Sequence, residues 1–134
     1  MKVSLHLTFA GQCEEAFRFY ESSGIGKIDL MLKYGDSPQR DSTPAEILDK
    51  IVHAGLVVDD YVIAGADVPD AQPPQGFYVL LEIADPAEAD RIFGLLATGG
   101  IVKMALQETF WAKRFGVVVD RFGVPWEVNC GNAE

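Results

Sequence analysis

The sequence predicts an α+β fold of two tandem βαβββ modules, and three observations carry that expectation. Short runs such as VSLHLTF and FYVLLEIA place apolar residues on one face or both of an extended chain and are bounded by turn residues, the pattern of strands. After each of these runs the apolar spacing changes to that of a helix. The second half then repeats the first at a constant offset of 73: Glu15 falls on Glu88, Ala16 on Ala89, Arg18 on Arg91, Gly26 on Gly99 and Ile28 on Ile101.

The elements follow in order. Residues 3–9 form the first strand, with Leu5, Leu7 and Phe9 on one face and Ser4, His6 and Thr8 on the other. Residues 11–24 form a helix with Ala16, Phe17, Phe19 and Tyr20 at helical spacing and Gly24 as its stop. A second strand occupies 25–35. The polar stretch DSPQRDSTPAEILDK is a loop, inside which Thr43-Pro44-Ala45-Glu46 has the form of a capping box with proline at the first helical position. IVHAGLVV and YVIAGA make a hairpin across Asp59-Asp60. The proline-rich stretch DVPDAQPPQG contains the linker, 68–76. Then the pattern restarts: a strand at 77–84, a helix over 85–100 entered through Pro86, a strand at 101–107, and a closing hairpin of FGVVVD and VPWEVNC around Asp120–Gly123. The expected organisation is one domain over 1–134, with modules at 1–67 and 77–130.

Composition narrows the partners. The 134 residues are 49% hydrophobic and 10% aromatic, which describes a folded globular chain. Twenty acidic against eleven basic residues give a net charge of −9, a surface that repels nucleic-acid phosphates and anionic membranes and favours a cationic small ligand. No apolar run approaches the roughly 20 residues that span a bilayer. MKVSLHLTFA lacks the apolar core of a signal peptide, and Cys13 and Cys130 form no CxxC motif, so a reducing cytoplasmic location is expected. Both thiols read as small buried side chains, although Cys13 stands near a helix start that could lower its pKa.

The segments FAGQCEEAFRFY, DKIVHAGLVVDD and LQETFWAKRFGVVVDRFGVPWEVNC, with their spacing, resemble the PhnB-like branch of the vicinal oxygen chelate superfamily. That superfamily includes glyoxalase I, extradiol dioxygenases, and fosfomycin- and bleomycin-resistance proteins. The resemblance runs over nearly the whole chain. It implies a half-open barrel, helices outside, a small-molecule cavity inside, and pairing as a homodimer. No glycine-rich strand-to-helix loop is present, so no nucleotide or flavin cofactor is expected and the methyltransferase labels of this branch carry little weight.

The same resemblance marks the site. Superfamily metal ligands come from the first and last strands of each module. His6 resembles the first-strand histidine and Glu127 the last-strand glutamate, so a divalent metal ion held by His6 and Glu127 is one expectation. The other two positions, Val79 by the offset of 73 and Ala64 by alignment of the closing hairpins, carry no donor. Catalytic zinc takes three protein ligands and water, so the set is short. Alternatively, His6 and Glu127 form a hydrogen-bonded pair. His53 is the other histidine, in a strand where the PhnB-like pattern also has one. It reads as a third ligand, a general base beside Glu127, or a buried histidine with a partner. In TFWAKRFG, Trp111 offers a flat face to a ligand or cation and Arg114 a fork for a carboxylate or phosphate. Each also has a structural reading: Trp111 in the core or a dimer interface, Arg114 paired with Asp120 or Glu108. Trp126, Phe115 and Phe122 read as core. Three functions remain open: a metal-free small-molecule binder, a metal-dependent lyase, isomerase or dioxygenase, and a protein-interaction module.

Overall fold

Strand β1, Leu5–Phe9, shows how the alternation is used: Leu7 and Phe9 are buried while His6 and Thr8 are exposed. The computed structural model of the protein describes residues 1–131, so the last three residues of the expected 1–134 domain lie outside the described residues. The chain divides into two compact units, Met1–Gln72 and Pro73–Glu134.

In the first unit β1 is followed by α1 (Cys13–Ser22), β2 (Lys27–Lys33), three single 3-10 turns (Tyr34–Asp36, Arg40–Ser42, Ala45–Ile47), β3 (Ile51–Val58) and β4 (Tyr61–Asp67). Its sheet has the order β1-β4-β3-β2, with β1 parallel to β4 and the other pairs antiparallel. The second unit holds β5 (Val79–Glu82), α2 (Pro86–Ala97), β6 (Ile101–Gln107), β7 (Arg114–Val119) and β8 (Pro125–Cys130). Its sheet has the order β5-β8-β7-β6, again with the first strand parallel to the last. The expected α+β class is therefore observed as two four-stranded mixed sheets, each with one helix.

One turn differs from expectation. The Thr43–Glu46 capping box does not form: Pro44 is the cap position of the turn Ala45–Ile47 and makes no side-chain bond, while the Thr43 hydroxyl donates back to the Gln39 carbonyl at 2.7 Å. A three-residue turn presents too few orphan amides to reward a reciprocal cap.

The two helices are started differently. At α2, Asp85 accepts from the Ala87 amide at 3.1 Å and Pro86 occupies the first turn, a local cap. At α1 the cap position, Gln12, makes no side-chain bond. Instead Asp67, at the end of β4, reaches in: Oδ1 accepts from the amides of Gly11 (2.9 Å) and Cys13 (3.0 Å), and Oδ2 from the Ile51 amide (2.9 Å). One buried carboxylate thus joins the entry of α1, the start of β3 and the end of β4.

The strand registers refine the internal repeat. His6 pairs with Ala64 on β4, and Leu80 pairs with Glu127 on β8. His6 therefore corresponds to Leu80, an offset of 74, and not to Val79. Val79 is 8% exposed and stands among the buried residues, whereas Leu80 is 49% exposed. The offset of 73 holds for the helices; strands β2 and β6 run at 74, so Ile28 corresponds to Val102. Gly26 corresponds to Gly100 for a steric reason: a Cβ at either would collide with a carbonyl of the neighbouring strand, Val57 or Val119.

Close helix-to-sheet packing depends on glycine at one place in each unit. A Cβ on Gly65 would stand 2.6 Å from Cζ of the fully buried Phe17, and one on Gly116 would stand 2.6 Å from Cε2 of Phe93. Gly65→Ala is expected to destabilise the protein by about 1–3 kcal/mol, since overpacking has no room to relax there. Gly94, inside α2 with nothing within 4 Å of an added Cβ, should stabilise when changed to alanine by about 0.4–1 kcal/mol. Urea denaturation of the two variants checks both signs, and the same sign for both would refute the packing argument.

Candidate ligand sites on the open sheet faces

Each helix packs on one face of its sheet, so strand residues of the other parity project from a face that the helix does not cover. In the first unit, Gly55, Ala64 and His6 form one row across β3, β4 and β1. His53 lies two residues from Gly55 on β3 and is exposed on that same face. Its face was ambiguous in sequence because Ile51 is apolar. A register shift between Ile51 and His53 explains this, since Ile51 turns into the core while His53 stays outside. The His6 and His53 rings have centroids 6.4 Å apart and planes inclined by 32°. A second register shift, between Ile28 and Leu30, sets Asp29 over Gly55, where a Cβ would strike its Oδ1.

The second unit presents a different surface. On β8, Trp126, Val128 and Cys130 are buried, and Glu127 and Asn129 are half-buried on the opposite face. Pro125 shares their parity but is buried. Leu80, Glu127 and Val117 form one row, and Glu82, Asn129 and Phe115 the next. Asn129 Nδ2 donates to Glu82 Oε2 at 2.9 Å, and Asn129 Oδ1 is buried with no hydrogen-bond partner. Trp111 stands edge-on to Phe115, centroids 5.2 Å apart, and is 42% exposed. Phe115 and Phe122, expected in the core, are half-buried instead. Phe115 is turned to the open face, and Phe122 lies under the Arg121 guanidinium, 4.6 Å from the ring centroid.

Trp111 is held by a tight turn. The Thr109 amide donates to the Ala112 carbonyl at 3.0 Å, and Thr109 Oγ1 accepts from the Ala112 amide at 3.1 Å. Ala112 is fully buried and anchors the loop. This leaves Phe110 90% exposed with its ring against Trp111, centroids 4.6 Å apart. Sequence reasoning passed over Phe110; its signal was the adjacency of two large aromatics in a segment between strands.

Arg114 lies elsewhere. It pairs in register with Cys130 and so belongs to the helix face, where its Nε is 3.6 Å from Asp90 Oδ1 on α2 and its Nη1 donates to the Lys113 carbonyl at 2.9 Å. The pairing with Asp120 or Glu108 is replaced by this one. Asp120 accepts instead from the amides of Phe122 (2.9 Å) and Val124 (3.0 Å) and from Trp126 Nε1 (2.9 Å). Trp126 is fully buried, as expected.

Of the four positions that the resemblance marks as ligand positions, His6 and Ala64 pair in the first unit and Leu80 and Glu127 in the second. Each unit therefore supplies one donor, and this donor set does not match a three-ligand centre. Among the described residues no three His, Cys, Asp or Glu side chains gather where they could hold one ion. A cavity of about 100 Å³ in the first unit is lined by Gly11, Tyr34, Lys50 and Asp67. Its polar groups serve one another: Lys50 Nζ donates to the Gly11 carbonyl (3.1 Å) and the Tyr34 hydroxyl to the Asp67 carbonyl (2.8 Å).

Known proteins resemble this chain over nearly its full length. The family described as 3-demethylubiquinone-9 3-methyltransferase matches residues 1–129. Protein YjdN of Escherichia coli K12 is 35% identical over 144 residues, covering 96% of this chain and 95% of that protein. The crystal structure of protein PA1353 from Pseudomonas aeruginosa is 41% identical with a TM-score of 0.87, covering 99% of both chains. At lower identity the likeness is one of fold. A Bacillus cereus PhnB protein has a TM-score of 0.82 at 23% identity over 98% of this chain and 100% of that one. The fosfomycin resistance protein FosX of Listeria monocytogenes has 0.68 at 10%, over 98% and 94%.

Both cysteines are free and fully buried. Burial, then the charges of Asp67 and Glu14, push the Cys13 thiol up to about 12. Burial outweighs the effect of the helix start, where the Asp67 carboxylate already takes the Cys13 amide. Because this pKa is raised on folding, its contribution to stability is complete below pH 9 and is lost as pH rises from 9 toward 12. Cys13→Ala should therefore flatten the stability loss over that range relative to wild type. In native protein at pH 8, a thiol reagent should modify Cys13 only at the rate of unfolding; fast labelling would contradict the burial.

Proposed function

Because the chain belongs to the PhnB-like family described as 3-demethylubiquinone-9 3-methyltransferase, a branch of the vicinal oxygen chelate superfamily, we propose that it binds a cationic small molecule on the open face of its second unit. The observation that carries this reading is the chemistry of that face. Glu127 supplies a carboxylate, Asn129 Oδ1 is a buried acceptor without a donor, and Trp111 with Phe115 supplies an aromatic wall. Buried acceptors are ordinarily paired, so an unmet one beside a carboxylate suits a ligand that brings N–H donors or positive charge. A cation over a tryptophan face gains about 0.5–2 kcal/mol, more as water is excluded. The net charge of −9 favours the same ligand sign at long range.

In this reading Trp111 stacks on the ligand, Glu127 neutralises it, and Phe110 closes over its edge. Arg114 lies on the helix face beside Asp90 and takes no part in this site. Glu127 also remains the acid–base group of the site should the ligand be turned over, while His6 and His53 belong to the first unit.

Tryptophan fluorescence tests the proposal directly. The chain has two tryptophans, and Trp126 is fully buried and bonded to Asp120, so a ligand-induced emission shift reports Trp111. Phenyltrimethylammonium should produce a saturable shift, and its neutral isostere tert-butylbenzene should bind at least about tenfold more weakly, the factor that 1.4 kcal/mol represents. Trp111→Ala should abolish binding with little change in melting temperature, and Glu127→Gln should weaken it about tenfold. Equal affinity for the neutral compound, or full binding by Trp111→Ala, would overturn the assignment.

A further inference from the structure

We infer that the ligand of the second unit is an elongated organic dication, and that Glu82 binds its second cationic group, a primary ammonium or guanidinium, at the end of the face away from Trp111. The inference rests on the cation-binding reading given above. It adds a second charge, a length, and the residue that selects for both.

Strand register lays out the face. Glu82 on β5, Asn129 on β8 and Phe115 on β7 form one row, and Trp111 packs against Phe115 at its end. Neighbouring strands are about 4.8 Å apart, so Glu82 stands roughly 10 Å from Phe115, backbone to backbone. The adjoining row is Leu80, Glu127 and Val117. Glu127 is therefore the diagonal neighbour of Glu82, with Cα atoms roughly 8 Å apart from strand spacing and rise. One carboxylate lies near the middle of the face and the other at its β5 edge.

A single cation at the aromatic wall leaves the β5 end of this row unmet. No lysine or arginine among the described residues forms an ion pair with Glu82 or Glu127, so two like charges on one face are left unneutralised. Glu82 Oε2 accepts from Asn129 Nδ2 at 2.9 Å, which steadies the carboxylate and leaves Oε1 for a ligand. Asn129, whose Oδ1 is buried without a donor, lies between Glu82 and the aromatic wall. A quaternary ammonium has no N–H and meets neither oxygen by a hydrogen bond, whereas a primary ammonium brings three donors. Leu80, 49% exposed, and Val117 flank Glu127 and give an aliphatic spacer apolar contact. The first unit has no such arrangement: Thr8 and Ala66 hold the positions of Glu82 and Asn129.

Trp111 fluorescence with a set of alkylammonium probes tests this. Trimethylammonium bearing a hexyl chain carries one charge, and its terminal aminohexyl analogue carries two at nearly the same length. The aminohexyl compound should bind at least about tenfold more tightly than the hexyl one. An aminoethyl chain is too short to span the row and should give no such gain over ethyltrimethylammonium. Glu82→Gln, which keeps an acceptor for Asn129 Nδ2, should abolish the aminohexyl gain while leaving hexyltrimethylammonium binding and the melting temperature unchanged. Glu46→Gln removes an exposed charge from the first unit and should retain the gain, which separates a contact at Glu82 from general attraction to an acidic protein. Equal affinity of the hexyl and aminohexyl compounds, an equal gain from the aminoethyl chain, a gain that survives in Glu82→Gln, or its loss in Glu46→Gln would each overturn this inference and leave the single-cation reading standing. If hexyltrimethylammonium and phenyltrimethylammonium both fail to bind, that reading falls and this one with it.

Discussion

A four-stranded sheet has two faces, and each unit of this protein brings a single helix to cover one. That constraint organises everything else. Period-two alternation sends Leu7, Phe9, Trp126 and Val128 toward the covered face and His6, Thr8, Glu127 and Asn129 away from it. Apolar burial stabilises the covered face, at roughly 25 cal/mol per Å². The other face is released from the helix, and it carries polar, aromatic and small residues, with Gly55, Val117 and Pro125 buried among them. The candidate site of the second unit is a consequence of that release.

The covered face has its own demands. A chain that passes from strand into helix or turn leaves buried backbone donors to satisfy. In the first unit Asp67 meets three of them at once, and in the second Asp120 takes two amides and the indole of Trp126. These two carboxylates are nearly buried, and both oxygens of each accept hydrogen bonds from the protein itself. The same engagement fixes the ends of β4 and β7, and thereby the strands that present Ala64 and Val117. The covered side of each sheet in this way sets the positions of residues on the open side.

Duplication supplied two copies of one scaffold, and the rows now hold different chemistry. His6 stands where the second unit has Leu80, Ala64 where it has Glu127, and Asp29 where it has Lys103. The first unit pairs imidazoles above a glycine–alanine floor. The second combines a carboxylate, an unmet amide oxygen and an aromatic wall. The helices diverged as well: Arg18 pairs with Glu14 one turn back, whereas Arg91 pairs with Glu88 three residues back, although Glu15 is the counterpart of Glu88. Exposed pairs of this kind contribute little to stability, so such drift between the copies is tolerated.

Local pattern was enough to read the elements, because strand and helix periods, proline and glycine stops and the closing hairpins are written in neighbouring residues. It was enough, too, to place His6 and Glu127 on polar faces and Trp126 in the core. The pairing of Arg114 with Asp90 was not legible, since it depends on which face of β7 meets α2 across a separation of 24 positions. Nor was the exact repeat: loops and register shifts move the strands to an offset of 74, and a one-residue slip exchanges the two faces, turning Val79 into Leu80 as the partner of His6. The sequence by itself therefore determined the element order, the helix-facing core and the acidic character. Only the tertiary structure decided which residues of distant strands share a row, that His53 stands beside His6, and that Asn129 keeps an unmet oxygen, because strand register and bulges are settled by pairing between segments that sequence periodicity treats separately.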